Sequence, residues 1–322
     1  MSLRVCVLLP EAYHWFMGCM LSSCKHLTGI EWMQPNTQQE VSSMLQSADV
    51  VVSDPVLISS NLDNLSKVKW VHSIWAGVSQ VTSSAPFPFI LTRHAGSFGI
   101  LMAEYVIAQI VCRERKLLIA HQNQLQHKWD KTPWSTRQER LLSSLSIEIL
   151  GVGAIGSKVA EMCKAFGMTV WGLTRTEPTT ACPHVDHHRL LEGLPEVLAN
   201  SDYVCSILPS TPQTAGLLNG DILQNCSKKK SVLINVGRGD VVSEAVLVTA
   251  IRHGWLGGAI LDVFEQEPLP ESSELWSMPE VVITPHISAQ CTQECADVFA
   301  SQLQEFMQGK KLKHTVEWGR GY

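Results

Sequence analysis

Short apolar runs bounded by polar residues recur along the first third of the chain. "RVCVLL" (4–9), "ADVVVSD" (48–54) and "VKWVHSIWAG" (68–77) are rich in β-branched residues and too short for helices. Between them, residues 38–46 place apolar positions at helical spacing. Such runs, separated by helical patterns, predict βα units and a parallel sheet. Residues 98–129 then keep apolar positions at helical spacing without a proline, which predicts one long helix or two in succession, closed by Pro133. From Ser146 the alternation resumes: "SIEILGVGAIGSKVAEMCKAFGMTVWGL" reads as strand, glycine turn, helix and strand. "DYVCSILP", "KSVLINVG", "GGAILDV" and "EVVITPH" follow as buried strands, and "CTQECADVFASQLQEFMQG" reads as a helix.

Strands joined in this way make a doubly wound α/β sheet, whose ligands lie beyond the carboxyl ends of the strands. Arg175, Pro209, Arg238, Asp262 and His286 all fall at such ends. The glycine turn begins only near residue 151 of 322, so the residues before it predict a separate first domain.

Charge and cysteine usage narrow the partners. Acids outnumber bases 30 to 25, and Lys228-Lys229-Lys230 is the single short basic block, so no nucleic-acid partner is expected. No apolar run approaches the ~20 residues of a membrane span, and "VCVLLP" is too short an apolar stretch for a secretory signal. The 10 cysteines are scattered, form no CxxC and show no zinc spacing, which predicts reduced thiols, no metal and a cytoplasmic setting.

Gly151, Gly153 and Gly156 match GxGxxG. The first permits a tight turn, the second lets backbone approach a pyrophosphate, and the third lets helix meet strand closely. With Ala154 and Ile155 they open a helix whose N–H groups and dipole suit the anion, so a nicotinamide dinucleotide is expected. An NAD site would place an acid about 20 residues on, to grip the adenosine ribose. Here the strand "VWGLT" ends in Thr174, followed by Arg175 and Thr176. Threonine removes the repulsion of a 2′-phosphate, and the forked guanidinium binds one, each charge-assisted bond adding about 1.5–3 kcal/mol. NADPH is therefore expected over NADH.

"NVGRGDVV", "LDVFEQEPLP" and "ITPHIS" follow GVGAIG in order, with "LPSTPQTAGLLN" between. With these segments the chain resembles the D-2-hydroxyacid dehydrogenase family over nearly its whole length, and within it the glyoxylate/hydroxypyruvate reductase branch. The resemblance implies two doubly wound parallel-sheet domains with an active-site cleft between them: a flavodoxin-like substrate domain (1–98 and 288–322) and a Rossmann-type nucleotide domain (99–287). It implies Arg238, Glu267 and His286 as the catalytic set. Arg238 would clamp the carboxylate and ketone oxygens of a small 2-oxoacid. His286 would protonate the nascent alkoxide, and Glu267 would orient its ring and favour the charged form. The backbone N–H groups of Ala76, Gly77 and Val78 would hold the substrate carboxylate. Leu208 and Pro209 would border the cofactor, and Asp262, Ser288 and the carbonyl of Val236 would meet the nicotinamide amide. A homodimer built on the helix after Phe98 is also implied, and Trp129 or Trp134 is a candidate wall of the substrate pocket.

Two stretches depart from the family pattern. Ser79 and Gln80 follow Val78 where an acid is common, and Glu148 stands inside a strand where a small residue is usual. A charge at position 148 should lie at a sheet edge, find a partner, or cost stability. Two other functions suit the same fold. A dinucleotide-sensing corepressor keeps the same catalytic residues, whereas a formate-type enzyme pairs its histidine with Gln rather than Glu; a phosphite-type dehydrogenase also remains open.

Overall fold

The computed structural model describes residues 2–82, 87–135, 139–177 and 180–318. The chain divides into two compact units, Met1–Ser97 with Cys291–Tyr322, and Phe98–Gln290. These boundaries lie one and three residues from the expected 98 and 288. Phe98 already begins a helix, and Ser288 is tied to the second unit through Asp262, whose carboxylate takes its N–H.

In the first unit, β1 (Leu3–Leu8), β2 (Ile30–Met33), β3 (Val50–Ser53), β4 (Trp70–Ser73) and β5 (Ile90–Arg93) form one parallel sheet in the order β2-β1-β3-β4-β5. Strands β3 and β4 are buried along their whole length, which is why their sequences run apolar without alternation. The helix Gln38–Ser47 starts at a capping box, Thr37 bonding the N–H of Glu40 and Glu40 returning to Thr37. The helix Gln293–Met307 returns to this unit and meets the helix Trp15–Ser23, where Ser23 Oγ donates to Asp297.

The second unit has seven parallel strands: β6 (Ser146–Leu150), β7 (Thr169–Thr174), β8 (His187–Leu190), β9 (Tyr203–Ser206), β10 (Val232–Asn235), β11 (Gly258–Leu261) and β12 (Val281–Ile283). Their order, β12-β11-β10-β9-β6-β7-β8, runs outward in both directions from β6 and β9. The reversal of strand order between β6 and β9 opens a crevice at their carboxyl ends, where the glycine turn begins.

The run 98–129 forms two helices, Phe98–Glu114 and Leu117–Leu125, broken at Lys116, which is left-handed at φ 54°. Pro133 does not close the second one. That helix ends eight residues earlier, where His127 turns left-handed at φ 54°, and Pro133 sits in a short 3-10 turn whose carbonyl takes the ammonium of Lys116.

Glu148 is not at a sheet edge. It lies on β6, paired on both sides by β7 and β9, is 0% exposed, and both its oxygens lack a hydrogen-bond partner among the described residues. Burial drives its carboxyl well above the ordinary range, only weakly opposed by the charge of Arg189, so the side chain is held as a neutral acid. Nearby acids are better served. Glu114 and Asp202 share Arg140, and Asp202 also takes Lys229 and the N–H of Ser146. Burial works against the Asp202 charge, but these donors outweigh it and hold its carboxyl low.

Candidate active site

The glycine turn follows from local sterics. Gly151 has φ +103°, a conformation that a side chain would strain. A Cβ on Gly156 would fall 2.2 Å from the carbonyl oxygen of Gly151, so strand and helix pack here at backbone distance. A Cβ on Gly153 would meet nothing within 4 Å, leaving open space before the helix Ala154–Ala165. No side chain caps that helix, so the N–H groups around Ala154, Ile155 and Gly156 keep their unpaired donors. Leu208 packs against Gly151, and the carbonyl of Pro209 takes the hydroxyl of Thr214. An open backbone cradle with free N–H donors fits a dinucleotide pyrophosphate.

Beyond β7, Thr174 donates from Oγ1 to the carbonyl of Thr176 at 2.8 Å. Arg175 and Thr176 are exposed, and the guanidinium of Arg175 has no partner among the described residues. An unpaired cation at this turn, with no acid at its first position, fits a phosphate on the adenosine ribose better than a bare hydroxyl.

Arg238 stands on the turn after β10. Asn235 closes that turn with both ends of its amide, donating to the carbonyl of Arg238 at 2.9 Å and accepting from Gly237 N–H at 3.2 Å. A Cβ on Gly239 would lie 1.9 Å from the backbone of Phe264. That position therefore lets the Arg238 turn press against the loop carrying Glu267. Glu267 is fixed twice: Oε1 accepts from Phe264 N–H at 2.9 Å, and Oε2 meets Nδ1 of His286 at 2.8 Å. Burial alone would raise the carboxyl of Glu267, but His286, the Phe264 N–H and the charge of Arg238 outweigh it and hold it below its usual value. For Arg238 burial dominates and lowers the guanidinium, against the attraction of Glu267 and Asp240.

His286 is left-handed at φ 53°, and its N–H donates to the carbonyl of Asp262 at 2.9 Å. The carboxylate of Asp262 is 0% exposed and takes Thr284 Oγ1, Ile287 N–H and Ser288 N–H at 2.5–2.8 Å. Tyr105 backs this chain, 2.7 Å from Thr284 Oγ1, its hydroxyl pushed up to about 12 by burial and so kept protonated. A carboxylate offers about four acceptor positions. One remains for the expected nicotinamide amide, but most of what Asp262 holds is the loop that aims His286. With Nδ1 committed to Glu267, Nε2 of the half-exposed imidazole has no hydrogen-bond partner among the described residues. Val236 and Ser288 are both buried beside these turns.

In the first unit, Ser73 Oγ bonds both the N–H and the carbonyl of Trp75, and Trp75 Nε1 donates to Asp54. This holds the stretch Ala76, Gly77 and Val78, whose N–H groups have no partner among the described residues. Trp129 is 91% exposed, whereas Trp134 donates from Nε1 to the carbonyl of Arg115. The sequence reading missed Thr284 and Tyr105 as supports of Asp262, and His188 as a partner of Thr174. Thr284 was within reach, because it stands two residues before His286 in the same motif.

The sequence model of the D-isomer-specific 2-hydroxyacid dehydrogenase NAD-binding domain matches residues 107–288. The chain belongs to the D-isomer-specific 2-hydroxyacid dehydrogenase family. It is 32% identical over 268 residues to a glyoxylate/hydroxypyruvate reductase A of Salmonella paratyphi B, covering 80% of this chain and 82% of that one. A family protein from Aeromonas salmonicida superimposes with TM-score 0.86 at 31% identity, over 99% of this chain and all of that one. An NADPH-dependent glyoxylate/hydroxypyruvate reductase from Sinorhizobium meliloti, solved with NADP and sulfate, superimposes with TM-score 0.83 at 27% identity over the full length of both. As a member of this dehydrogenase family the protein is a nicotinamide-dinucleotide oxidoreductase on a Rossmann fold. No helix among the described residues is long and apolar enough to cross a membrane.

Proposed function

We propose that this dehydrogenase reduces small 2-oxoacids, glyoxylate or hydroxypyruvate among them, to 2-hydroxyacids, using NADPH in preference to NADH. The observation that carries the reading is the 2.8 Å contact of His286 Nδ1 with Glu267, on loops pressed against the Arg238 turn. Arg238 grips the substrate carboxylate with its fork and polarises the ketone oxygen. In the first unit, the N–H groups of Ala76, Gly77 and Val78, which have no partner among the described residues, are the further carboxylate donors of this reading. The bound nicotinamide supplies the hydride. As charge grows on the former ketone oxygen, His286 delivers its Nε2 proton there, while Glu267 holds the opposite nitrogen and balances the imidazolium charge.

Gly151, Gly153, Ala154, Ile155 and Gly156 hold the pyrophosphate, with Leu208 and Pro209 beside them. Val236, Asp262 and Ser288 orient the nicotinamide amide. Thr174, Arg175 and Thr176 take the adenosine end, and the S. meliloti reductase solved with NADP supports a 2′-phosphate there. Exposed Ile100 on the helix Phe98–Glu114, with Leu117, Leu118 and Leu125 on the helix that follows, supports a homodimer through this part of the chain. The free thiols support a cytoplasmic setting. A panel of 2-oxoacids run with both cofactors tests the reading. Turnover of glyoxylate or hydroxypyruvate with kcat/KM higher for NADPH is expected; turnover with NADH alone, or none, overturns it.

A further inference from the structure

The turn after β7 is stapled by a residue that belongs to no cofactor motif. The hydroxyl of Thr174 has one proton, spent on the carbonyl of Thr176 at 2.8 Å. Its oxygen must therefore accept at its second contact, which is Nε2 of His188 at 2.7 Å. His188 stands on β8, the edge strand, opposite Gly172 in the β7 ladder. The hydrogen-bond pattern thus assigns its proton to Nε2 and turns Nδ1 toward the exposed carboxylate of Glu177, 3.8 Å away. The neighbours on β8 are otherwise engaged: His187 lies against Trp171, and Arg189 pairs with Glu196.

We propose that His188 is a positioning residue that determines cofactor specificity, holding the Thr174–Thr176 turn so that Arg175 is set for a 2′-phosphate. The inference rests on the NADPH reading above. A turn fixed at Thr174 and Thr176 confines the backbone that carries Arg175. The guanidinium then meets the phosphate without first paying to order its own loop. A cofactor lacking the phosphate makes no use of Arg175, so the staple matters little to it.

Binding of adenosine 2′,5′-bisphosphate and of 5′-AMP, measured by calorimetry on the purified protein, separates the possibilities. His188→Ala is expected to weaken the bisphosphate about five- to tenfold, the share of one neutral hydrogen bond, and to leave 5′-AMP within about twofold. His188→Gln, which can still donate to Thr174, should recover much of the loss. Adding His188→Ala to Thr174→Val should cost nothing beyond Thr174→Val alone, because the bond that His188 makes is already gone. Equal weakening of both nucleotides, or no change in either, overturns the role of His188 while leaving the NADPH reading intact. A wild-type protein that binds the bisphosphate no tighter than 5′-AMP overturns the NADPH reading itself.

Discussion

His286 and His94 each stand beside a group that can hold negative charge, in opposite surroundings. His286 is half exposed, left-handed in its backbone, and bonded through one nitrogen to the carboxylate of Glu267. His94 is 1% exposed, with Nε2 2.5 Å from Ser97 Oγ, which in turn lies 3.2 Å from the sulfur of Cys295. Cys295 takes the N–H of Thr292 as the third residue of its helix, so it serves as a cap. Cys291 is a neighbouring free thiol, and the pairing of the two sulfurs pushes the Cys291 thiol up and the Cys295 thiol down. The sulfur cluster has the chemistry of a reactive site but sits enclosed, with its bonds spent on joining one helix end to the end of a sheet. The oxygen cluster spends one ring nitrogen on orientation and keeps the other for a reactant. Exposure of the ring, more than the residue types, separates a site from a strut.

After removal of His286 itself, the largest effect expected on this contrast comes from Glu267→Gln. The substitution removes the negative charge that faces Nδ1 of His286. At neutral pH kcat/KM for reduction should fall at least tenfold, part of the roughly 10²–10⁴ that a positioned acid supplies; a pH–rate profile superimposable on wild type breaks the assignment. Because the Glu267 carboxyl is depressed, its contribution to stability is present above its unfolded value and lost as pH falls through the folded one.

Glu148 sharpens the contrast from the side of an acid with no partner. Its carboxyl is raised, so its penalty is absent below the unfolded value near 4.5 and grows as pH rises toward the folded one. Glu148→Met, which removes two unserved oxygens at similar volume, should stabilise the second unit by about 1–3 kcal/mol at neutral pH and less at pH 5. Urea unfolding at the two pH values checks this. A smaller gain at pH 7 than at pH 5 would contradict it.

The smallest effect belongs to the strut. Cys295→Ala should cost about 1 kcal/mol of stability through the lost cap, and Cys295→Ser less, with kcat changed by no more than about twofold. Thermal unfolding beside initial rates measures both. A tenfold loss of kcat on Cys295→Ser would show that the enclosed cluster takes part in the chemistry.

Much of this was legible in the sequence because the information is local. The apolar runs mark the strands, GVGAIG encodes its own turn, and Arg238, Glu267 and His286 sit at strand ends that a doubly wound sheet gathers on one side. What depended on strand order was not legible. Glu148 could not be placed at the centre of the sheet until β9 was seen to pair with β6. His188 sits in "VDHHRL", which has no motif, and meets Thr174 only because β8 lies beside β7. The end of the second long helix was misplaced because His127 stops it in a left-handed conformation that favours glycine, so no glycine marked the end and Pro133 looked like the terminator.

The central claim is that His286 gives up a proton from a ring steadied by Glu267. The most direct test compares NADPH oxidation by glyoxylate and hydroxypyruvate in wild type and His286→Ala, with the dissociation constant of NADPH measured on both. A fall in kcat/KM of roughly 10²–10⁴ with NADPH binding unchanged is the predicted result. Rates within a few-fold of wild type would contradict the account.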